Sequence, residues 1–232
     1  MISKNQAVAL NEQLAKMGHA LSSAQRLRLL NLLCQSERTV ESIAQAMGLS
    51  LATVSHHLQL LRRVRLVVTR KIGRHVTYAV ADPDVIVFWL RYREFCAARL
   101  PELHLMDDAL TAQRKSRGTI DRDSLRQLLK SGSAVLLDLR PQLEFEAGHL
   151  PDAISCPIDQ LPERIKKIPK DKTVVLYCRG PYCVMGDMAQ EQLIARGIKT
   201  LQFNDGVIEW ASAGLPLKRS PTFKSVFTPA EP

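Results

Sequence analysis

The chain changes its hydrophobic rhythm about halfway along. In the first half apolar residues recur every three or four positions, as on one face of a helix, over 26–33, 39–47 and 51–64. Thr39 and Ser50 stand where helix N-caps are expected, and Gly48 where the second of these helices should stop. In the third, Val54, Leu58 and Leu61 share a face and are predicted core. Thr53, Ser55, His56, His57 and Gln59 lie on the other faces. Residues 66–80 read as a strand, a basic turn with glycine, and a second strand. Residues 111–118 are polar and basic without apolar periodicity and read as a linker. Beyond them, β-branched runs at 134–139 and 173–177 alternate with helical stretches at 121–130 and 185–196. That alternation predicts an α/β domain with a mainly parallel sheet.

A length of 232 residues has room for two small domains. The expected division is a mostly helical domain at 1–100, a linker at 101–117, an α/β domain at 118–220 and a flexible tail at 221–232, the stretch after Lys218 being rich in Pro, Ser and Thr. Hydrophobic residues at 46% and charged residues at 24% are ordinary for a soluble globular protein. No apolar run approaches membrane-spanning length, and the first residues lack a signal-peptide layout, so a cytoplasmic protein without membrane contact is expected. Five cysteines, an odd number, fit free thiols better than a disulfide framework. The net charge of +9 is uneven. Residues 1–117 hold 17 Lys and Arg against 9 Asp and Glu, whereas the remainder holds 15 against 14. The excess points to a polyanion partner for the first half only, the plain alternative being a solvated basic face.

The short joint Gly48-Leu49-Ser50 between two helices fits a helix-turn-helix, which makes double-stranded DNA the expected polyanion. Ser50, Thr53, Ser55, His56, His57 and Gln59 offer hydroxyl, imidazole and amide groups to base edges or phosphates in a major groove. The hairpin that follows reads as a wing, with Arg70, Lys71, Arg74 and His75 placed for phosphates or the minor groove. Three runs carry a resemblance: Ala24-Gln25-Arg26-Leu27-Arg28-Leu29-Leu30, then Thr53-Val54-Ser55-His56-His57-Leu58 with Leu60-Leu61-Arg62, then Arg74-His75-Val76-Thr77-Tyr78. Over roughly residues 5–100 the chain resembles the ArsR/SmtB family of winged-helix repressors. The resemblance implies an operator-binding homodimer that an inducer releases, with the helix 84–100 in the dimer interface.

The family's inducer sites match poorly. The arsenic-type site needs a close cysteine pair where this sequence has Glu37-Arg38-Thr39-Val40-Glu41. Asp84, His104 and Asp107 do not reproduce the zinc-type spacing. No metal site is therefore expected. Persulfide-sensing members carry one cysteine on the second helix and one on the last. Cys96 matches the latter; Cys34 is on the right helix one turn late, with Asn31 at the matching position. One turn is about 5.4 Å, enough to spoil a disulfide. Cys34 and Cys96 are thus a candidate thiol sensor, with core packing of Cys34 as the other reading.

The chemistry of the second half centres on Thr173-Val-Val-Leu-Tyr-Cys178-Arg179-Gly180-Pro181-Tyr182-Cys183. A strand ends at Cys178, Gly180 and Pro181 force a tight loop, and a helical pattern begins near Tyr182. Inward amides and a helix N-terminus favour a thiolate, so Cys178 is a candidate nucleophile. Flanking signatures carry a second resemblance, to rhodanese domains, over about residues 118–218. One is Val135-Leu136-Leu137-Asp138-Leu139-Arg140 with Glu144 and Gly148-His149-Leu150-Pro151-Asp152-Ala153. The other is Asp205-Gly206-Val207-Ile208-Glu209-Trp210 with Ala213-Gly214-Leu215-Pro216. The residue six after Cys178 is Val184, not the arginine that phosphatases of this fold use. By resemblance Cys178 takes sulfur from thiosulfate or another sulfane donor, such as a low-molecular-weight persulfide. The amides of residues 179–183 hold the anion, Arg179 either attracts the donor or is merely solvated, and Asp138 and Arg140 either fix the loop from below or form a plain strand-end ion pair. No cofactor is implied. Cys183 either caps the helix or receives sulfur from Cys178, and with five residues between them the two can form a disulfide or polysulfide if the loop permits the reach. Cys156 and Trp210 are expected to pack.

Together these features suggest a repressor responsive to sulfane sulfur through Cys178. The alternatives are a thiosulfate-type sulfurtransferase whose DNA-binding domain serves localisation or autoregulation, and a metal- or metalloid-responsive repressor with a non-catalytic rhodanese module.

Overall fold

The computed structural model describes residues 4–72, 75–168 and 172–221. Gly73 and Arg74, the side chain of His75, and the tail beyond Pro221 lie outside the described residues. The chain forms two units that divide between Trp89 and Leu90.

The first unit opens with α1 (Lys4–Leu21), an addition to the elements expected from spacing. It continues through α2 (Ala24–Leu33), β1 (Arg38–Thr39), α3 (Val40–Met47), α4 (Leu51–Arg63), β2 (Val67–Ile72) and β3 (His75–Val80). The helix α5 (Pro83–Arg99) begins here, and its residues from Leu90 on belong to the second unit. Local chemistry sets the ends. Ser23, Thr39 and Ser50 cap α2, α3 and α4 by accepting the N–H groups of Arg26, Ser42 and Thr53. Gly48 ends α3 in the left-handed region at φ +66°. The buried Arg26 guanidinium donates to the carbonyls of His19 and Ala20, satisfying the end of α1. The hairpin β2–β3 pairs Val67 with Val80 through Ile72 with His75, and β1 adds to β3, giving the antiparallel order β1-β3-β2. Val54, Leu58 and Leu61 are buried, as their spacing predicted.

The second unit contains α6 (Pro101–Arg117), β4 (Thr119–Ile120), α7 (Arg122–Lys130), β5 (Ala134–Asp138), α8 (Gln142–Ala147), β6 (Ala153–Ser155), α9 (Leu161–Arg164), β7 (Thr173–Tyr177), α10 (Met185–Ile194), β8 (Thr200–Phe203) and α11 (Val207–Ser212). Its strands form a parallel sheet in the order β4-β8-β7-β5-β6. β7 lies in the middle and is buried along its whole length. Leu137, Leu139, Leu176 and Val174 pack there with Cys156, Leu161, Ala189 and Leu193. Among the described residues no helix is long and apolar enough to cross a membrane.

One expectation is corrected. Residues 101–117 are a helix, not a linker. The sequence lacks a wide apolar stripe there because ion pairs, not hydrocarbon, hold the end of α6. Arg114, only 3% exposed, pairs with Asp187, and Arg117 pairs with Asp187 and Glu191. Pro101 at the first turn and Arg114, Lys115 and Arg117 in the last suit the helix geometry and dipole.

Candidate functional sites

Cys178 leaves the C-terminal end of β7, and the loop 178–183 crosses to α10. The sulfurs of Cys178 and Cys183 are joined as a disulfide, with the two Cα atoms 6.3 Å apart. Cys178 is 4% exposed. Gly180 turns the loop at φ +108°, a region that side chains disfavour. The Cys183 amide donates to the Gly180 carbonyl at 3.1 Å. Since Pro181 has no N–H, the amides expected at 179–183 reduce to those of Arg179, Gly180 and Tyr182. The expected cradle over residues 179–183 is narrower by two members.

Two further expectations change. Cys183 does not cap the helix: α10 starts at Met185, its N-cap is Val184, and no side chain caps it. Arg179 is not a lone cation. Its guanidinium forks onto the carboxylate of the fully buried Glu144, with Nη2 at 2.6 Å and Nε at 2.9 Å. Glu144, quoted above only as part of a signature, thus anchors the residue next to Cys178.

Asp138 and Arg140 form a fully buried pair at 2.7 Å. Arg140 also donates to the Gly148 carbonyl, and the Tyr177 hydroxyl donates to Asp138 at 2.5 Å. Their link to the loop is therefore Tyr177, the residue before Cys178. Burial alone would lower the Arg140 pKa, but Asp138 beside it outweighs burial and holds it above its ordinary value. Burial and then Asp138 push the Tyr177 phenol up, so it stays a hydrogen-bond donor.

Residues outside the expected site grip the loop more directly. Arg114 donates to the carbonyls of Pro181 and Cys183 while its other edge forks onto Asp187 at 2.9 and 2.7 Å. Arg93 donates to Glu209 at 2.9 Å and lies over the Tyr182 ring, 4.9 Å from its centroid. Burial raises the Glu209 carboxyl pKa and Arg93 opposes that rise. Glu209 accepts the Gly206 N–H at the start of α11. Nothing in the local pattern signals Arg114 or Arg93, because each acts on residues distant in sequence.

The remaining thiols differ. Cys156 is buried, and burial pushes its pKa up to about 11, so it is a packing thiol, as expected. Cys34 is fully buried as well. Its burial favours the packing reading, and at the matching position Asn31 accepts from the Trp89 indole at 2.9 Å. Cys96 is half-buried, and the Tyr92 phenol pKa is raised by burial first and then by a hydrogen bond with Cys96. Trp210 is buried, edge-on to Phe203. Among the described residues no group of three or more His, Cys, Asp and Glu is placed to hold a metal ion.

In the first unit α4 presents Thr53, His56 and Gln59 to solvent, with Ser55 and His57 half-buried. The hydroxyl of Ser50 is engaged in its cap and in a 2.9 Å bond with the Thr53 hydroxyl. Burial, then Arg26 and His56, lower the His57 pKa. On the hairpin Lys71 is exposed, while Arg70 reaches Glu37 at 3.5 Å. Arg62 and Arg63 at the end of α4 are exposed and extend the basic surface beyond the residues singled out from the sequence.

The comparisons agree with both halves. Residues 23–69 match the bacterial regulatory protein arsR family, and residues 121–213 match the rhodanese-like domain. The chain is 38% identical over 213 residues to the HTH-type transcriptional regulator Rv0324 of Mycobacterium tuberculosis, covering 90% of this chain and 92% of that one. A sulfurtransferase of Allochromatium vinosum is 39% identical over 100 residues, covering 42% of this chain and 92% of that protein. A solved homodimeric winged helix-turn-helix DNA-binding domain from Mycobacterium bovis is 36% identical, covers 43% of this chain and 93% of that chain, and superposes with a TM-score of 0.40.

Proposed function

The chain belongs to the ArsR family of HTH-type transcriptional regulators and carries a rhodanese-like domain, and on that premise we propose a dimeric operator-binding repressor that responds to sulfane sulfur loaded on Cys178. The Cys178 thiolate attacks the outer sulfur of thiosulfate or a related donor. The donor's S–S bond breaks, sulfite leaves with the electron pair, and Cys178 carries a persulfide. The amides of Arg179, Gly180 and Tyr182 are the groups available to meet its charge. In this reading Cys96, a free and half-buried thiol, receives sulfur next. The loaded state binds operator less well; a coupling of about 1–3 kcal/mol is the ordinary size for such a device.

The observation that carries this reading is a cysteine pair closed at the end of a central parallel strand, in a chain that opens with an ArsR-type helix-turn-helix. Operator affinity measured with and without thiosulfate or inorganic polysulfide tests it. Loss of affinity in the wild type and not in Cys178→Ser is expected. An equal response in both would refute it.

The likeness to a sulfurtransferase over nearly that protein's whole length favours a second reading, in which sulfur transfer is itself the task and DNA binding localises or autoregulates it. Sustained turnover with thiosulfate and a thiol acceptor, indifferent to operator DNA, would support this over the first.

A further inference from the structure

We propose that Cys183 is a resolving residue: it discharges the Cys178 persulfide, releases hydrosulfide, and closes the loop as a Cys178–Cys183 disulfide. This rests on the loading of sulfur at Cys178 and adds an activity to it, reduction of sulfane sulfur to sulfide.

A persulfide has two sulfurs that a neighbouring thiol can attack. Attack on the outer one moves the sulfane sulfur to Cys183 and leaves the count of thiols and persulfides unchanged. Attack on the inner one, Sγ of Cys178, expels the outer sulfur. The structure places Cys183 for the second course, because its sulfur lies against Cys178 Sγ itself. An outer sulfur would stand about 2 Å farther along. The backbone is already set for this bond: the Cα atoms are 6.3 Å apart, inside the range of ordinary disulfides. Three contacts hold Cys183 there. Its amide donates to Gly180, its carbonyl accepts from Arg114, and Arg114 also grips the Pro181 carbonyl between the two cysteines.

The step balances within the loop. Cys178–S–S⁻ and Cys183–SH give Cys178–S–S–Cys183 and HS⁻. The Cys183 proton goes to the departing sulfur. The Cys183 sulfur gives an electron pair to Cys178 Sγ, and the pair of the broken S–S bond leaves with the outer sulfur, so no other oxidant is needed. Accessibility points the same way. Cys178 is 4% exposed, so an outside thiol reaches its persulfide poorly, whereas Cys183 is beside it and half-buried. A dithiol reductant then resets the loop by attacking the more accessible Cys183 sulfur, freeing the Cys178 thiolate.

The test uses the full chain, reduced, desalted and kept free of oxygen. It is treated in separate arms with thiosulfate and with inorganic polysulfide, without any thiol acceptor. Donor is then removed, and sulfide, free thiols and the sulfur state of Cys178 are followed. The wild type should release about one equivalent of sulfide per loaded chain, lose two thiols, and yield a cross-linked Cys178–Cys183 peptide. Cys183→Ser should keep a one-sulfur adduct on Cys178 and release only background sulfide. A wild type that retains its persulfide, or a Cys183→Ser that releases as much sulfide as the wild type, overturns the discharge while leaving loading intact. If Cys183→Ser takes up sulfur from neither donor, loading itself fails, and the discharge with it.

Discussion

Gly206 lies so close to Gly180 that a Cβ at position 206 would stand 2.6 Å from the Gly180 amide nitrogen and equally close to the Arg179 carbonyl carbon. Gly180 is constrained from the other side: a Cβ there would meet Glu209 Oε1 at 2.7 Å. Glu209 in turn accepts the Gly206 amide. The cysteine loop and the start of α11 are thus packed backbone to backbone, and the glycine in the run Asp205-Gly206-Val207 is there for that approach.

Gly206→Ala should therefore displace the loop, because the atoms its methyl would meet are backbone and cannot swing aside. Overpacking of this kind costs about 1–3 kcal/mol. Urea unfolding should show a loss of that size, and alkylation of reduced Cys178 should change rate by a larger factor than alkylation of Cys96. Equal stability and unaltered alkylation would mean the close approach is relieved elsewhere.

Arg114→Ala removes a buried guanidinium that serves Asp187 and two loop carbonyls. Arg117 remains to pair with Asp187, so the loss should fall short of the 3–5 kcal/mol typical of a fully broken buried pair and lie near 2 kcal/mol. A structural effect alone would end there. A positioning role for the loop adds a second readout: closure of the Cys178–Cys183 disulfide by a mild oxidant should slow severalfold. Arg114→Lys restores charge without the fork and should recover stability more than closure rate.

Much of this architecture was legible. The caps Thr39 and Ser50, the stop at Gly48 and the core positions Val54, Leu58 and Leu61 are local, and helix spacing with N-cap chemistry reads them directly. The strands β5 and β7 are short β-branched runs and emerged almost at their true bounds. α6 did not, because its end is stabilised by Arg114 and Arg117 meeting Asp187 some seventy residues away. The same holds for the site. Cys178 and its loop announce themselves, whereas the pairing of Arg179 with Glu144 and of Arg93 with Glu209 depends on tertiary placement. A lone arginine beside a nucleophile reads as an anion attractor until its carboxylate partner is seen.

His56→Ala and Gln59→Ala, on the exposed side of α4, should weaken operator binding. If these side chains reach base edges, each loss is about 1–3 kcal/mol and is specific to particular operator positions. Lys71→Ala on the hairpin should instead weaken all sequences alike and reduce the salt slope by about one. Competition titrations at several salt concentrations separate the two patterns. None of the three should alter sulfur loading of Cys178, measured as the one-sulfur adduct in a Cys183→Ser background.

The second unit should lose stability as pH falls through the histidine range, with His149 responsible. Its ring stacks on Phe145, one ring nitrogen contacts the Phe145 carbonyl, and Arg140 and Lys218 lie near enough to disfavour a positive charge. Burial is the largest effect and lowers the pKa of the folded state below the ordinary value of about 6.5; the Phe145 carbonyl and Asp138 only partly oppose it. Below about pH 6.5 the unfolded chain therefore binds a proton that the folded chain resists. The stabilisation is present above that value and declines as pH drops through the lowered one. Glu209 works in the opposite sense, since its raised pKa adds stability that is present at low pH and lost as pH rises through the raised value. Substitution isolates the histidine's share. In a Trp89→Phe background, where Trp210 reports the second unit alone, urea midpoints between about pH 7.5 and pH 5.5 should fall, and His149→Gln should flatten that fall while leaving the Glu209 component. A slope unchanged by His149→Gln would assign the pH dependence to other groups.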